Sequence, residues 1–177
     1  MEKVRNVILC GFMATGKSTV GKRLAELVGF DFIDLDTAIE AEENISIPQI
    51  FAERGEPAFR TLESRMVEKM MDRSGSVIAT GGGTIVNPRN LANLKKCGIV
   101  VALTADIPTI LQRTATDTHR PLLLAQSEKD REVKIRTLLE QRMSAYSQAD
   151  ILLDTSFLNI EEVAHRLRTL IFNDANE

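Results

Sequence analysis

One short string constrains this chain more than anything else in it: Gly11-Phe12-Met13-Ala14-Thr15-Gly16-Lys17-Ser18-Thr19. The apolar run Val7-Ile8-Leu9-Cys10 precedes it and reads as a buried strand. Residues 20–28 follow and read as a helix with Val20, Leu24, Leu27 and Val28 inward. Strand, glycine-bounded loop, Lys-Ser and helix form the context in which such a string cradles phosphate. Gly11 and Gly16 permit backbone that a side chain would block. Successive N–H groups then converge on an anion, and the helix start adds partial positive charge. Lys17 would reach the outer phosphates of a nucleoside triphosphate. The Ser18 hydroxyl would complete the oxygen shell of Mg2+.

Around that string, apolar strand-like runs alternate with helical patterns, the signature of a parallel α/β sheet. Strands are expected near residues 4–10, 30–34, 76–80, 98–103 and 151–154. Helices are expected near 17–28, 36–44, 47–54, 56–72, 88–96, 107–114, 128–146 and 160–172. Asn87-Pro88 and Asn159 read as helix starts; Gly29, Gly55 and Gly98 read as helix stops. The 177 residues suit one domain with a sizeable core, and nothing reads as an interdomain linker. Two stretches break the alternation: an insertion at about 35–63, and a polar segment with a proline at about 114–127, where such folds build binding sites and lids. A net charge of −3 gives no footprint for nucleic acid. Cys10 and Cys97 lie in apolar surroundings without metal spacing and read as reduced, buried thiols. No run is long enough to span a bilayer, and residues 1–10 read as a strand rather than a leader, so a cytosolic location is expected. No coiled-coil or interface pattern appears, and a monomer is expected.

Five further features carry candidate chemistry. Asp34-Leu35-Asp36 ends the second expected strand, where residues i and i+2 share a face, so both carboxylates would point at one site. One would hold Mg2+ and the other take a proton from a hydroxyl; the competing reading is a turn with one Asp capping the next helix. Arg60 lies off the apolar stripe Phe59, Leu62, Met66, Met70, with Glu63 three residues on. It reads either as a surface i,i+3 ion pair, which residue physics alone favours, or as a fork for a carboxylate ligand. Gly81-Gly82-Gly83 ends the third strand, where backbone would touch a ligand. Arg120 sits in the 114–127 segment, placed to stabilise charge on a transferring phosphoryl group, and Arg113 just before it is a candidate near the nucleotide base. Arg142 reads as a surface arginine on the helix at 128–146, with Leu138, Leu139 and Tyr146 as its core residues. His119 and His165 receive no role.

Taken together, these residues resemble the shikimate kinase family. The markers are Gly-Phe-Met-Ala-Thr-Gly-Lys-Ser-Thr-Val-Gly at 11–21, Asp-Leu-Asp at 34–36, Phe-Arg-Thr-Leu-Glu at 59–63, the glycines at 81–83, Arg-Pro-Leu-Leu at 120–123, and Arg142 followed by Tyr146. The resemblance implies a P-loop NTPase of the nucleoside-monophosphate-kinase-like type, with a five-stranded parallel sheet in the order 2-3-1-4-5 flanked by helices. It implies transfer of the γ-phosphate of ATP to the 3-hydroxyl of shikimate. By that likeness Ala14, Thr15, Gly16, Lys17, Ser18 and Thr19 would cradle the phosphates. Asp36, Arg60, Gly82 and Arg142, within a site that includes Gly81 and Gly83, would bind shikimate. Asp36 would also act as base, with Lys17 and Arg120 on the transferring group. Ser18 would ligate Mg2+ directly and Asp34 through water. Ala14 stands where the family often has glycine, so this alanine needs negative φ or accepts strain; Leu35 and Ser144 depart from its usual pattern as well. The rivals are a kinase for gluconate or for a nucleotide, and a nucleotide-dependent switch. The switch lacks an Asn-Lys-x-Asp string, and a nucleotide kinase would be expected to carry more arginines in its lid.

Overall fold

The computed structural model describes residues 4–115 and 127–172. Its centre is β1 (Asn6–Gly11), all six residues of which are buried. Such a strand needs cover on both faces, and alternation along it supplies two cores. Ile8 and Cys10 belong to the layer under the larger helical face, while Val7 and Leu9 belong to the layer under the other.

Parallel neighbours extend the sheet on either side. β3 (Ser76–Ala79) and then β2 (Asp31–Asp34) lie on one side, and β4 (Ile99–Thr104) and then β5 (Ile151–Asp154) on the other. The order β2-β3-β1-β4-β5 is the expected one. Helices α1 (Lys17–Val28) and α7 (Ile160–Phe172) cover one face through Val20, Leu24, Val163 and Leu167. The other face is covered by α2 (Leu35–Glu43), α3 (Ile47–Met70), α4 (Pro88–Cys97), α5 (Ile107–Thr114) and α6 (Glu128–Tyr146). Cys10 and Cys97 are free and buried, as expected. Among the described residues, no helix is long and apolar enough to cross a membrane.

Local signals explain the element ends. Asn87 caps α4 by accepting from Arg89 N–H at 3.0 Å, and Pro88 takes the first position. Asn159 and Glu162 exchange side-chain-to-backbone bonds at 2.7 and 3.0 Å at the start of α7. Gly55, expected as a stop, interrupts α3 with φ 78° and ψ 170°, and Pro57 opens the second helical segment. One correction concerns residues 34–36. β2 ends at Asp34, and the chain turns helical at Leu35, so Asp36 lies in the first turn of α2 and not on a strand face. Leu35 is buried in the core, which accounts for an apolar residue between two acids. The segment expected as a lid lies outside the described residues over 116–126, and with it Arg120.

Asn6 ties three elements together at the amino end of the sheet. Its amide donates to the Arg73 and Cys97 carbonyls, both at 2.9 Å, and its Oδ1 accepts from Ser76 N–H at 3.0 Å. These partners are backbone groups in the turn after α3, at the end of α4 and at the start of β3, and Asn6 itself is fully buried. Asn6→Ala should therefore lower unfolding free energy by roughly 3 kcal/mol, about 1 per orphaned partner. Urea unfolding checks this; a loss below about 0.5 kcal/mol would contradict it.

Candidate active site

The carboxyl ends of β1 and β3 deliver two glycine-containing loops side by side. The first runs from Gly11 to α1. Gly11 has φ 128°, and a Cβ there would sit 2.1 Å from the Leu103 carbonyl oxygen of β4. Gly16, at φ 93°, starts α1 without a side-chain cap, and the first turn holds no acid. The first N–H groups of α1 thus remain open to an anion. Thr15 closes the loop by donating its hydroxyl to the Phe12 carbonyl at 2.8 Å, and Lys17 Nζ donates to the same oxygen at 2.8 Å. Ala14 adopts φ 60°, so of the two alternatives it accepts left-handed strain. Its carbonyl receives Arg113 Nη1 at 3.2 Å, while Nη2 of that arginine donates to the Thr155 carbonyl at 2.8 Å. Arg113 therefore braces the loop against the segment after β5 as well as lining its cleft.

A cleft of about 660 Å³ opens over this loop, lined by residues 13–20, Asp34, Asp36, Gly82, Arg113 and Thr155 among others. A second cleft of about 640 Å³ holds Asp36, Arg60, Glu63, the three glycines and Arg142. The two share Met13, Asp34, Asp36 and Gly82. That shared wall is where a group could pass from one ligand to another.

Asp34 satisfies both readings of its position at once. Its Oδ1 caps α2, accepting from Asp36 N–H at 3.0 Å and Thr37 N–H at 3.4 Å, and its Oδ2 accepts from the Ser18 hydroxyl at 2.6 Å. Asp36 is different. Its Oδ1 is buried and accepts no hydrogen bond among the described residues. Burial, then the charges of Asp34 and Glu63, push its carboxyl up to about 6, against the opposing pull of Lys17. Ser18 and the two aspartates form an all-oxygen donor set, one atom of which lacks a partner. Oxygen donors of this kind fit Mg2+, which keeps waters and phosphate oxygens in its shell and takes few protein ligands.

The second cleft corrects two surface assignments. Arg60 does pair with Glu63, Nη1 to Oε2 at 2.6 Å, but Glu63 is only 1% exposed. The other edge of the guanidinium, Nε and Nη2, donates to Glu56 Oε1 at 3.1 and 2.6 Å. Glu63 falls in the apolar row Phe59, Met66, Met70 at spacings of four and three, the one signal of its burial in the sequence. Arg142 is also buried, at 7% exposure, with its guanidinium 5.7 Å from the Phe12 ring centroid and its charge close enough to Tyr146 to favour the ionised phenol. Tyr146 donates its hydroxyl to the Gly82 carbonyl at 2.6 Å, and burial pushes its phenol up to about 12. Tyr146, read from the sequence as core alone, thus also fixes the glycine loop. Leu138 and Leu139 are partly buried against the core, and His165 is exposed, as expected.

The three glycines serve close packing, and none has positive φ. A Cβ at Gly81 would lie 2.5 Å from Glu63 Oε1 and 3.0 Å from Asp36 Oδ1; at Gly82, 3.2 Å from Arg142 Nη1; at Gly83, 2.6 Å from Arg60 Nη1. The loop is a floor on which four charged side chains lie.

Comparison with known proteins agrees with this geometry. The family model described as shikimate kinase matches residues 13–171. The chain belongs to the shikimate kinase family. A shikimate kinase of Thermodesulfovibrio yellowstonii is 40% identical over 164 residues, covering 93% of each chain. One from Geobacter sulfurreducens is 42% identical, covering 94% of this chain and 91% of the relative. Among solved structures, the shikimate kinase of Acinetobacter baumannii in complex with shikimate superposes with a TM-score of 0.92 at 38% identity, covering 99% of this chain and 97% of that one. A gluconokinase from Sinorhizobium meliloti, 16% identical with a TM-score of 0.59, shares the fold alone.

Two outcomes follow from the packing and the charge. Gly83→Ala displaces Arg60, so it should raise the acceptor KM at least about tenfold while the ATP KM stays within about twofold; equal KM values for the acceptor in both proteins would contradict this. Asp36 has a folded pKa raised above its ordinary carboxylate value, so its contribution favours folding at low pH and is lost as pH rises through about 6. Asp36→Asn should thus stabilise the protein at pH 7 by on the order of 2 kcal/mol, a gain that shrinks towards pH 4. Thermal unfolding between pH 4 and 8 measures it.

Proposed function

We propose that this chain transfers the γ-phosphoryl group of ATP to the 3-hydroxyl of shikimate. The observation that carries the reading is the shared wall: Asp36 stands where a triphosphate cleft meets a cleft lined by two arginines. Family membership identifies the acceptor, and the likeness to a relative solved with shikimate supports it.

Each group then has a task. Backbone N–H groups of residues 14–19 cradle the phosphates, and Lys17 leaves the Phe12 carbonyl to meet the outer ones. Arg60 and Arg142 take the acceptor carboxylate as planar forks. For the exposed Glu56 partner, this means yielding its edge of Arg60 to the ligand. Asp36, with a free oxygen and a raised pKa, accepts the hydroxyl proton as the acceptor oxygen attacks phosphorus. Gly81 and Gly83 shape the acceptor cleft with Gly82, and residues 35–63 form its insertion. Arg113, which lines the nucleotide cleft, is assigned to the side of the nucleotide base. Arg120 and a lid over 114–127 complete the charge on the transferring group, a role resting on the family resemblance. Mg2+ would be held by Ser18, with Asp34 acting through water, and supplies neutralisation of phosphate charge. Phosphoryl transfer asks the protein chiefly for positioning and charge, which this arrangement provides.

We infer a monomer in the cytosol, a setting that the two buried free thiols support. The net charge of −3 gives no support to a nucleic-acid partner.

The test is ADP release over a panel of shikimate, gluconate and nucleoside monophosphates. Turnover is expected with shikimate, falling about tenfold per pH unit below about 6 as Asp36 protonates. Arg60→Ala and Arg142→Ala should each raise the shikimate KM roughly a hundredfold with little effect on ATP binding. Lys17→Ala should abolish turnover in a folded chain. ADP formation with a nucleotide or gluconate alone would overturn the reading.

A further inference from the structure

Behind the Arg60–Glu63 pair lies a third cavity of about 460 Å³, lined by Arg60, Glu63, Gly83, Thr84, Asn90 and Arg142 among others. Glu63 is only 1% exposed, and each of its two carboxylate oxygens is held by a hydrogen bond. One Glu63 oxygen, Oε2, accepts from Arg60 Nη1 at 2.6 Å. The other, Oε1, accepts from the Thr84 hydroxyl at 2.6 Å. Thr84 is itself fixed: it is 1% exposed, opens the short 3-10 turn Thr84–Val86, donates its N–H to the Gly81 carbonyl at 3.3 Å, and accepts the Asn90 amide on its own carbonyl at 3.0 Å. Asn90 is 3% exposed and anchored in α4. An unbroken set of buried hydrogen bonds therefore runs from α4 through Thr84 and Glu63 to the guanidinium.

We propose that Thr84 is a positioning residue for the acceptor: its hydroxyl, carried on backbone that Asn90 holds in place, aims the Glu63 carboxylate and through it sets the fork of Arg60. This inference rests on the placement of the shikimate carboxylate at Arg60. A hydroxyl suits the post because it is short, buried and able to donate to one oxygen without competing for the other. Glu56 cannot substitute for it, since that carboxylate is half-exposed and grips the opposite edge of the guanidinium. The consequence is specific. Loss of the hydroxyl leaves the buried Glu63 Oε1 without its donor, which loosens the aim of the carboxylate and of the Arg60 Nη1 paired with it, while the phosphate loop is untouched.

The experiment compares Thr84→Val, Thr84→Ser and Arg60→Ala with the parent enzyme in steady-state kinetics for both substrates, beside thermal unfolding. Thr84→Val keeps the shape and removes the donor; it should raise the shikimate KM about tenfold, the effect of one lost hydrogen bond to a charged group. The ATP KM and kcat should stay within about threefold. Thr84→Ser, which keeps the donor and loses a methyl group, should return the shikimate KM to within about threefold of the parent. An unchanged shikimate KM in Thr84→Val overturns the inference. So does a Thr84→Ser variant as impaired as Thr84→Val, or a rise in both KM values together with a fall in thermal midpoint, which marks a merely structural role. A parent-like shikimate KM in Arg60→Ala would instead overturn the acceptor placement itself.

Discussion

The close contact of two backbones, at the ends of β1 and β3, is the constraint on which the rest of the site depends. Parallel pairing sets Leu9 beside Ala79, and Thr80 N–H donates to the Leu9 carbonyl at 2.9 Å. The chains beyond that point then run together, so that a Cβ at Gly82 would lie 3.4 Å from the Gly11 carbonyl oxygen and 3.7 Å from Met13 N. Those are ordinary contact distances; glycine is demanded on either side, where a Cβ would fall 2.5 Å from Glu63 Oε1 at Gly81 and 2.6 Å from Arg60 Nη1 at Gly83. The phosphate cradle and the floor of the acceptor cleft are thereby parts of one surface. Separating them would separate the reacting groups.

The site gathers charges that a stable core would avoid. Glu63 and Asp36 both crowd Gly81, two carboxylates around one missing side chain, and the charge of Glu63 adds to the burial that makes ionisation of Asp36 harder. Glu63 is compensated by Arg60 and Thr84; Asp36 is not fully compensated, and its raised pKa is the result. Arg142 is buried against Phe12 and Tyr146. Buried charges lose hydration that pairing only partly restores. This fold accepts that loss, together with a left-handed Ala14, around the wall that the two clefts share.

Much of this was legible in the residues themselves. Alternation of apolar runs with helical patterns yielded the five strands in their observed order once the family resemblance supplied the connectivity. Asn87-Pro88 and Asn159 marked helix starts because capping is a local matter, decided within four residues. Burial was less legible. The i,i+3 spacing of Arg60 and Glu63 describes a surface pair and a buried one equally well, and Arg142 reads as a surface residue on a helix rich in exposed charges. Asn6 gave no signal at all, because its three partners come from segments about 70 and 90 residues away. The strand geometry expected for Asp34 and Asp36 was wrong, since capping by Asp34 starts the helix one residue earlier, yet both side chains reach the same cleft.

By itself, the sequence determined the chemistry that depends on short spacing. A glycine-bounded loop with Lys17 and Ser18 must open a helix towards an anion, because backbone geometry over nine residues dictates it. Only the tertiary structure decided which charges are paired, which are buried and which are left wanting a partner. Those properties depend on approaches between residues far apart in the chain: Glu63 to Thr84, Tyr146 to Gly82, Arg113 to Ala14. Desolvation is a property of such neighbourhoods and of no single residue, which is why Asp36 is an ordinary acid in the sequence and an unsatisfied one in the fold.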